Sequence, residues 1–170
     1  MPPVRSCSDR RRCRCRAQCT GGITEFVPLG YVHMEAPLWR KGRTRSGPTL
    51  REALLMHAVS RLVLHPLIAN IQTSWVKMGA DGAALCLQAG ANDLGGTLMN
   101  ESITRAAGGV HGQELDAAQL QAVARRIGRP ARQRTTLYGI PGERLAPARQ
   151  HGDANVTTGI QGICGAVRAQ

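Results

Sequence analysis

Two short extended segments, "ITEFVPL" (23–29) and "IANIQTSW" (68–75), flank a stretch containing Thr49-Leu-Arg-Glu52, and this order constrains the fold more than any other feature. In a Thr-x-x-Glu box the hydroxyl and the carboxylate satisfy free amides at a helix start, so a helix is predicted from Leu50. Leu50, Leu54, Ala58 and Leu62 recur at helical spacing and predict a buried stripe that runs to about Leu64. A strand, a capped helix and a second strand form a crossover unit, the connection that joins parallel neighbours in one sheet.

The alternation continues. A helix is predicted around 80–89 with Gly90 as its stop, then a short strand or strand end at "ANDLGG" (91–96). A weaker helical stretch from Thr97 to Ala107 stops at Gly108. A clearer one starts at Asp116, carries Leu120, Val123, Ala124 and Ile127 on one face, and ends at Gly128-Arg-Pro130. "MEAPLWRKGRTRSGP" (34–48) reads as a long basic loop. Residues 23–138 thus read as an α/β arrangement with three or four strands. A complete (β/α) barrel takes about 250 residues, so the stretch is either a small open sheet or a piece of something larger. Residues 1–22 read as a basic Cys/Arg-rich disordered tail, and 139–170 as an irregular tail rich in Gly, Pro, Ala and Gln.

Apolar residues make up 42% of the 170 and aromatics 3%, which suits one domain with a core of Leu, Ile, Val, Ala and Met. No apolar run approaches the roughly 18 to 20 residues of a membrane span, and the basic N-terminus lacks the apolar stretch of a secretion signal, so a cytoplasmic location is expected. The net charge of +11 raises a basic nucleic-acid-binding protein as an alternative. Two features count against it. Lys41 and Lys77 are the only lysines among 22 basic residues, and Arg5, Arg10, Arg11, Arg12, Arg14 and Arg16 pool at one end. No specific nucleic acid is expected. Cys7, Cys13, Cys15 and Cys19 crowd that same end with gaps too irregular for a zinc site. Cys15-x-x-x-Cys19 matches the first two ligands of the Cys-x-x-x-Cys-x-x-Cys iron-sulfur loop of radical enzymes that use S-adenosylmethionine. The third position falls on Gly22, so no metal ligand is assigned.

In parallel α/β folds chemistry gathers at the C-terminal ends of strands, and three segments place polar groups there. In "GYVHMEAP" an extended chain puts Tyr31, His33 and Glu35 on one side, where His33 serves either as a proton carrier or ligand beside Glu35 or as an ordinary loop residue. Gln72 and Ser74 share a face of "NIQTSWVKMG", with Trp75 either stacking on a polar ring or filling the core. In "QAGANDLGGTLMNE" the spacing Gly90-x-x-x-x-Gly95-Gly96 is neither a dinucleotide fingerprint nor a phosphate loop. Asn92 and Asp93 either brace the turn through local backbone bonds or reach a ligand.

Together "FVPLGYVHMEAP", "GPTLREALLMHAVSRLVLHPLIANIQTSWVKMG" and "LQAGANDLGGTLMNESITRAAG" resemble, in order and spacing, the C-terminal part of the FO synthase family, over about Thr24 to Tyr138. Related enzymes of the futalosine route to menaquinone share a Trp-containing strand and an Ala-Asn-Asp loop and are the alternative. The Leu-Gly-Gly-Thr-Leu-Met-Asn-Glu continuation favours FO synthase. The resemblance implies the C-terminal portion of a (β/α) radical S-adenosylmethionine barrel, incomplete here. It implies a 4Fe-4S cluster and S-adenosyl-L-methionine as cofactors, and a transferase that joins a tyrosine-derived 4-hydroxybenzyl group to 5-amino-6-(D-ribitylamino)uracil on the way to the deazaflavin FO. By that resemblance the substrate-binding candidates are His33, Glu35, Gln72, Ser74, Trp75, Asn92, Asp93 and Glu101. No individual catalytic residue is assigned. The family's complete cluster motif does not occur in the chain, so the missing barrel half is expected to be needed in cis or in trans, and the isolated chain is expected to be inactive.

Overall fold

Residues 17–18, 21–142 and 166–169 are described by a computed structural model, the last four through their backbone alone. In chain order the elements are β1 (Glu25–Phe26), α1 (Pro37–Arg40), α2 (Leu50–Leu64), β2 (Asn70–Ile71), α3 (Trp75–Gln88) and β3 (Asp93–Gly96). They continue with α4 (Ile103–Ala106), α5 (Ala117–Arg126), β4 (Ala131–Arg134) and β5 (Ala166–Ala169). No helix among the described residues is long and apolar enough to cross a membrane.

Local chemistry sets the helix limits. The Thr49 hydroxyl accepts the Glu52 amide and the Glu52 carboxylate accepts the Thr49 amide, closing the box read from the sequence. Asp116 and Gln119 do the same for α5. Such caps contribute about 1 kcal/mol each. Gly90, Gly108 and Gly128 follow α3, α4 and α5 at positive φ, the backbone conformation that stops a helix cheaply only at glycine. α3 starts earlier than the sequence suggests because Trp75 opens it, and it breaks at Gly79, whose φ of 69° is not helical.

β1 and β2 pair in parallel, Glu25 opposite Asn70 and Phe26 opposite Ile71. The ladder reaches β3 through a parallel bridge between Gln72 and Asp93, with Asn92 donating to Ile71 O at 2.9 Å and Thr73 to Asp93 O at 2.8 Å. Thus β1, β2 and β3 stand side by side in chain order, joined by α2 and α3, which is the expected crossover pattern. A second, antiparallel sheet departs from the all-parallel expectation: β5 lies between β3 and β4 and runs against both. β5 is also a regular strand within residues 139–170, which composition had read as irregular. Its pairing partners lie more than 30 residues away, beyond the reach of a local pattern.

The strands' period of two sorts the residues. Ile71 and Leu94 face the helices and join Trp75, Val76, Ala83, Ala84, Leu87, Leu120, Val123 and Ala124 in the main core. Small side chains along α3 let α5 approach closely. The buried stripe expected for α2 is corrected: Leu50 and Leu62 are exposed, Leu54 and Ala58 half-buried, and His57, Ser60 and Leu64 are the residues turned inward. Hydrophobic spacing alone located a helix but mis-set its rotation, because the polar His57 and Ser60 occupy the inner face.

Asn92 and Arg61 lock this layer together. Asn92 Oδ1 accepts from Ile71 N at 2.8 Å and from the Arg61 guanidinium at 2.7 Å, while Arg61 also donates to Gly90 O and Ala69 O, each at 2.8 Å. Asn92→Ala would leave a strand amide and a guanidinium without that acceptor. We expect it to lower stability by about 2 to 3 kcal/mol in urea unfolding; an unchanged midpoint would show that the brace is dispensable. His57 supplies a pH test. Burial pushes its pKa below the ordinary value of 6.5, so the unfolded chain takes up the proton first. Stability should therefore be full above about pH 6.5 and decline as pH falls below it. Thermal melts between pH 7.5 and 5.5 should show a smaller decline for His57→Gln than for the unsubstituted chain.

Candidate functional site

The face of the parallel sheet opposite the helices is polar. Glu25 and Asn70 pair on β1 and β2, Gln72 and Asp93 pair one step further on, and the period of two points all four to the same side. Asp93 is fully buried, an expensive position for a carboxylate unless it is paired. Its Oδ1 accepts from Gly95 N at 2.6 Å, and its Oδ2 accepts from Arg134 Nε at the end of β4. Arg134 also lies 4.0 Å from Glu25 and stacks on the Tyr138 ring at 4.1 Å, and the Tyr138 hydroxyl donates to Glu25. Burial, then the hydrogen bond to Glu25, pushes the Tyr138 phenol above its ordinary range, so it remains the donor. This clasp ties β1, β3 and β4 across the polar face.

Gln72 lies above the clasp on that face. The backbone beside it is built around Gly95, where β3 spans three residues while β5 spans two, a bulge with Gly95 at φ 74°. A Cβ at Gly95 would stand 2.6 Å from Gln72 Nε2, so any other residue would displace that carboxamide as well as strain the positive φ. Ser74 precedes α3 without spending its hydroxyl on a cap. Trp75 is buried in the core and its indole N–H donates to Gly96 O at 3.1 Å, fixing the backbone next to the bulge. It is thus a core residue that holds the site's rim, with no ring face open for stacking.

The remaining candidates sit around this centre. Asn92 faces away from Asp93 and is committed to the brace described above. Glu101 accepts from Thr104 N at 2.9 Å and from the Thr104 hydroxyl at 3.2 Å, and Lys77 donates to that hydroxyl at 2.8 Å. The loop after β3 is thereby pinned to the first turn of α3. His33 and Glu35 do not alternate on a strand, because the chain turns at Met34–Glu35. His33 Nδ1 accepts from Gly47 N at 3.0 Å and its ring meets Trp39 edge-on at 4.6 Å, while Glu35 is exposed and paired with Arg40. The structure therefore pairs Gln72 with Asp93, sets Ser74 two residues further along at the start of α3, places Trp75 and Glu101 beside the loop after β3, and sets His33 and Glu35 in a separate loop.

Glu25, Arg134 and Tyr138 were missed by sequence reasoning. A charged residue inside the apolar run "ITEFVPL" was the available signal for Glu25; Arg134 and Tyr138 had none, since they meet β1 only in three dimensions. On the helix side, a cavity of about 460 Å³ lined by Phe26, Leu29, Met56, His57 and Met78 is predominantly apolar.

Residues 20–144 match the family described as the CofH/MqnC C-terminal region. The chain belongs to this family. It is 55% identical over 128 residues to an FO synthase of Nocardia farcinica and 56% identical over 131 residues to one of Streptomyces coelicolor. These alignments cover 75% and 76% of the chain but 15% of each relative. A Methanopyrus kandleri protein named 5-amino-6-(D-ribitylamino)uracil--L-tyrosine 4-hydroxyphenyl transferase is 50% identical over 128 residues, 75% of the chain and 35% of that protein. The chain thus spans about a seventh to a third of the length of these relatives. No solved structure matches it.

The family's cofactors can be tested against the side chains. Among the described residues no group of three His, Cys, Asp or Glu could hold a metal ion, and burial pushes the Cys86 thiol pKa up, against ligation. The described residues therefore do not fit a cluster. Cys7, Cys13, Cys15 and Cys19 lie outside the described residues.

The clasp is open to direct test. Arg134→Met leaves the buried Asp93 carboxylate without its cation and should cost about 3 to 5 kcal/mol in urea unfolding. Combining it with Asp93→Asn should restore a large part of the loss; simple addition of the two losses would mean that the pair is not coupled.

Proposed function

We propose that residues 23–138 form the last parallel strands of a (β/α) barrel whose polar face binds and orients small-molecule reactants in an FO synthase-type transferase. The observation that carries this reading is the row Glu25, Asn70, Gln72 and Asp93 on one face of three parallel strands in chain order, in a segment 50 to 56% identical to proteins of that name. Apolar contacts on one face and hydrogen-bonding groups on the other are what a barrel wall requires: helices cover the outside and a polar ligand meets the inside.

The proposed reaction joins a tyrosine-derived 4-hydroxybenzyl group to 5-amino-6-(D-ribitylamino)uracil. The radical chemistry belongs to an iron-sulfur cluster and S-adenosylmethionine, held by parts of the relatives that this chain does not span and supplied to it in cis or in trans. No step is assigned through them. The residues of this chain hold the reactants: Gln72 and Ser74 offer free polar groups, Asp93 and its clasp keep the wall rigid, and Glu101 fixes the loop above it. His33 and Glu35 are proposed as part of a loop that faces the same end of the strands. The futalosine-route enzymes remain a less favoured relation, and nucleic-acid binding is not favoured by any relative.

A chimera tests the reading. Replacing the aligned segment of the Streptomyces coelicolor FO synthase with residues 24–138 of this chain should preserve fluorescent FO formation within about tenfold, since the catalytic geometry is carried over whole. A folded chimera that loads its cluster yet makes no FO would reject the proposal.

A further inference from the structure

On the polar face the Gln72 carboxamide keeps both its donor and its acceptor unused, whereas Asn70 spends its amide N–H on Thr24 O and keeps a buried Oδ1 without a partner. Among the described residues the Gln72 carboxamide has no hydrogen-bond partner, although its backbone is held on both sides: Gln72 N donates to Phe26 O at 3.0 Å, and Thr73 N donates to Asp93 O at 2.8 Å. The carboxamide lies against the bare backbone of Gly95, where a Cβ would meet Nε2 at 2.6 Å and Cδ at 3.1 Å. Gly95 keeps a positive φ of 74° inside a bulge, and Asp93 Oδ1 fixes it by accepting its amide at 2.6 Å. The Asp93 carboxylate does not compete for Gln72, since Arg134 and Gly95 already occupy it. A bulge, a glycine and a buried ion pair thus shape the backbone against which this carboxamide lies with its donor and acceptor free.

We propose that Gln72 determines specificity for the pyrimidine, its Oε1 accepting the ring N3–H of a uracil while Nε2–H donates to the adjacent ring carbonyl. A primary carboxamide presents one donor and one acceptor side by side in a plane, and the imide edge of uracil presents their complement at the same spacing. Tyrosine presents no planar imide edge: its phenol is a single group, and its ammonium and carboxylate sit on a tetrahedral carbon as full charges that call for charged partners. Ser74, two residues further along the same face, keeps a hydroxyl for a substituent of the ring. This assignment rests on the transferase reading above and adds to it the residue that distinguishes the pyrimidine.

Saturation-transfer NMR on the full chain tests it, with 5-amino-6-(D-ribitylamino)uracil, its N3-methyl analogue and tyrosine as probes. The unsubstituted chain should bind the pyrimidine, and N3-methylation should weaken binding about tenfold or more, because a site built to pair an N–H leaves its acceptor unmatched when the proton is gone. Gln72→Leu should show the same loss and should no longer distinguish the methylated probe, while Gln72→Glu, which keeps an acceptor for N3–H but sets a second oxygen against the ring carbonyl, should weaken binding yet still favour the unmethylated probe. Gly95→Ala should weaken the pyrimidine similarly, and the two Gln72 variants keep the test decisive if the alanine disturbs the bulge. Equal binding of both pyrimidines by the unsubstituted chain, or undiminished binding by Gln72→Leu, would overturn the role of Gln72 and leave the transferase reading intact. Failure of the unsubstituted chain to bind any pyrimidine would overturn the assignment to Gln72, and the chimera described above then decides the transferase reading separately.

Discussion

The buried pair between Asp93 and Arg134 is the constraint on which the polar face depends. A carboxylate with no solvent exposure survives in a protein only if a cation and hydrogen-bond donors replace its lost water. Here Arg134 supplies the cation and Gly95 N the donor, and each has a structural consequence. Reaching Asp93 brings the end of β4 over the sheet, where the same guanidinium lies near Glu25 and on the Tyr138 ring. Donating to Asp93 holds the glycine of the bulge, which in turn seats Gln72. One ion pair therefore sets both how the sheet is spanned and the backbone against which the Gln72 carboxamide lies.

The neighbouring Asn92 shows why adjacent polar residues can have unrelated tasks. Successive side chains of an extended segment point to opposite faces, so Asn92 turns to the helix side while Asp93 turns to the polar side. On the helix side Asn92 finds the amide of Ile71 and the guanidinium of Arg61. On the other, Asp93 finds Arg134. The dipeptide couples the brace of the outer layer to the clasp of the inner one through a single peptide unit at the start of β3.

Much of the helical framework was legible in the sequence because its determinants are local. Thr49 and Glu52, like Asp116 and Gln119, lie within one turn of each other, and Gly90, Gly108 and Gly128 act through their own φ. What escaped was decided at a distance. The rotation of α2 depends on which side faces β2 and α3, and Leu50 and Leu62 lost that position to His57 and Ser60. At the break in α3 the positive φ of Gly79 coincides with the approach of His111, where a Cβ would stand 2.9 Å from the imidazole. Tyr138 meets Glu25 across 113 positions, which no window of sequence could link. For the site, the segments that mattered were visible as polar strand ends. Which of their side chains were free and which were already engaged depended on partners elsewhere in the chain.

The arginine content, which at first suggested a polyanion partner, has an internal explanation in the described region. Arg61 donates to Gly90 O and Arg129 to Leu87 O and Ala91 O, so two guanidiniums converge on carbonyls at the end of α3. That is where a helix has unpaired acceptors and the negative end of its dipole. Arg134 neutralises Asp93, and Arg40, Arg45 and Arg126 pair with Glu35, Glu52 and Asp81. A planar fork with several donors can join two elements at once, whereas lysine presents a compact charge. Among the described residues Arg61, Arg129 and Arg134 thus act as clamps between segments.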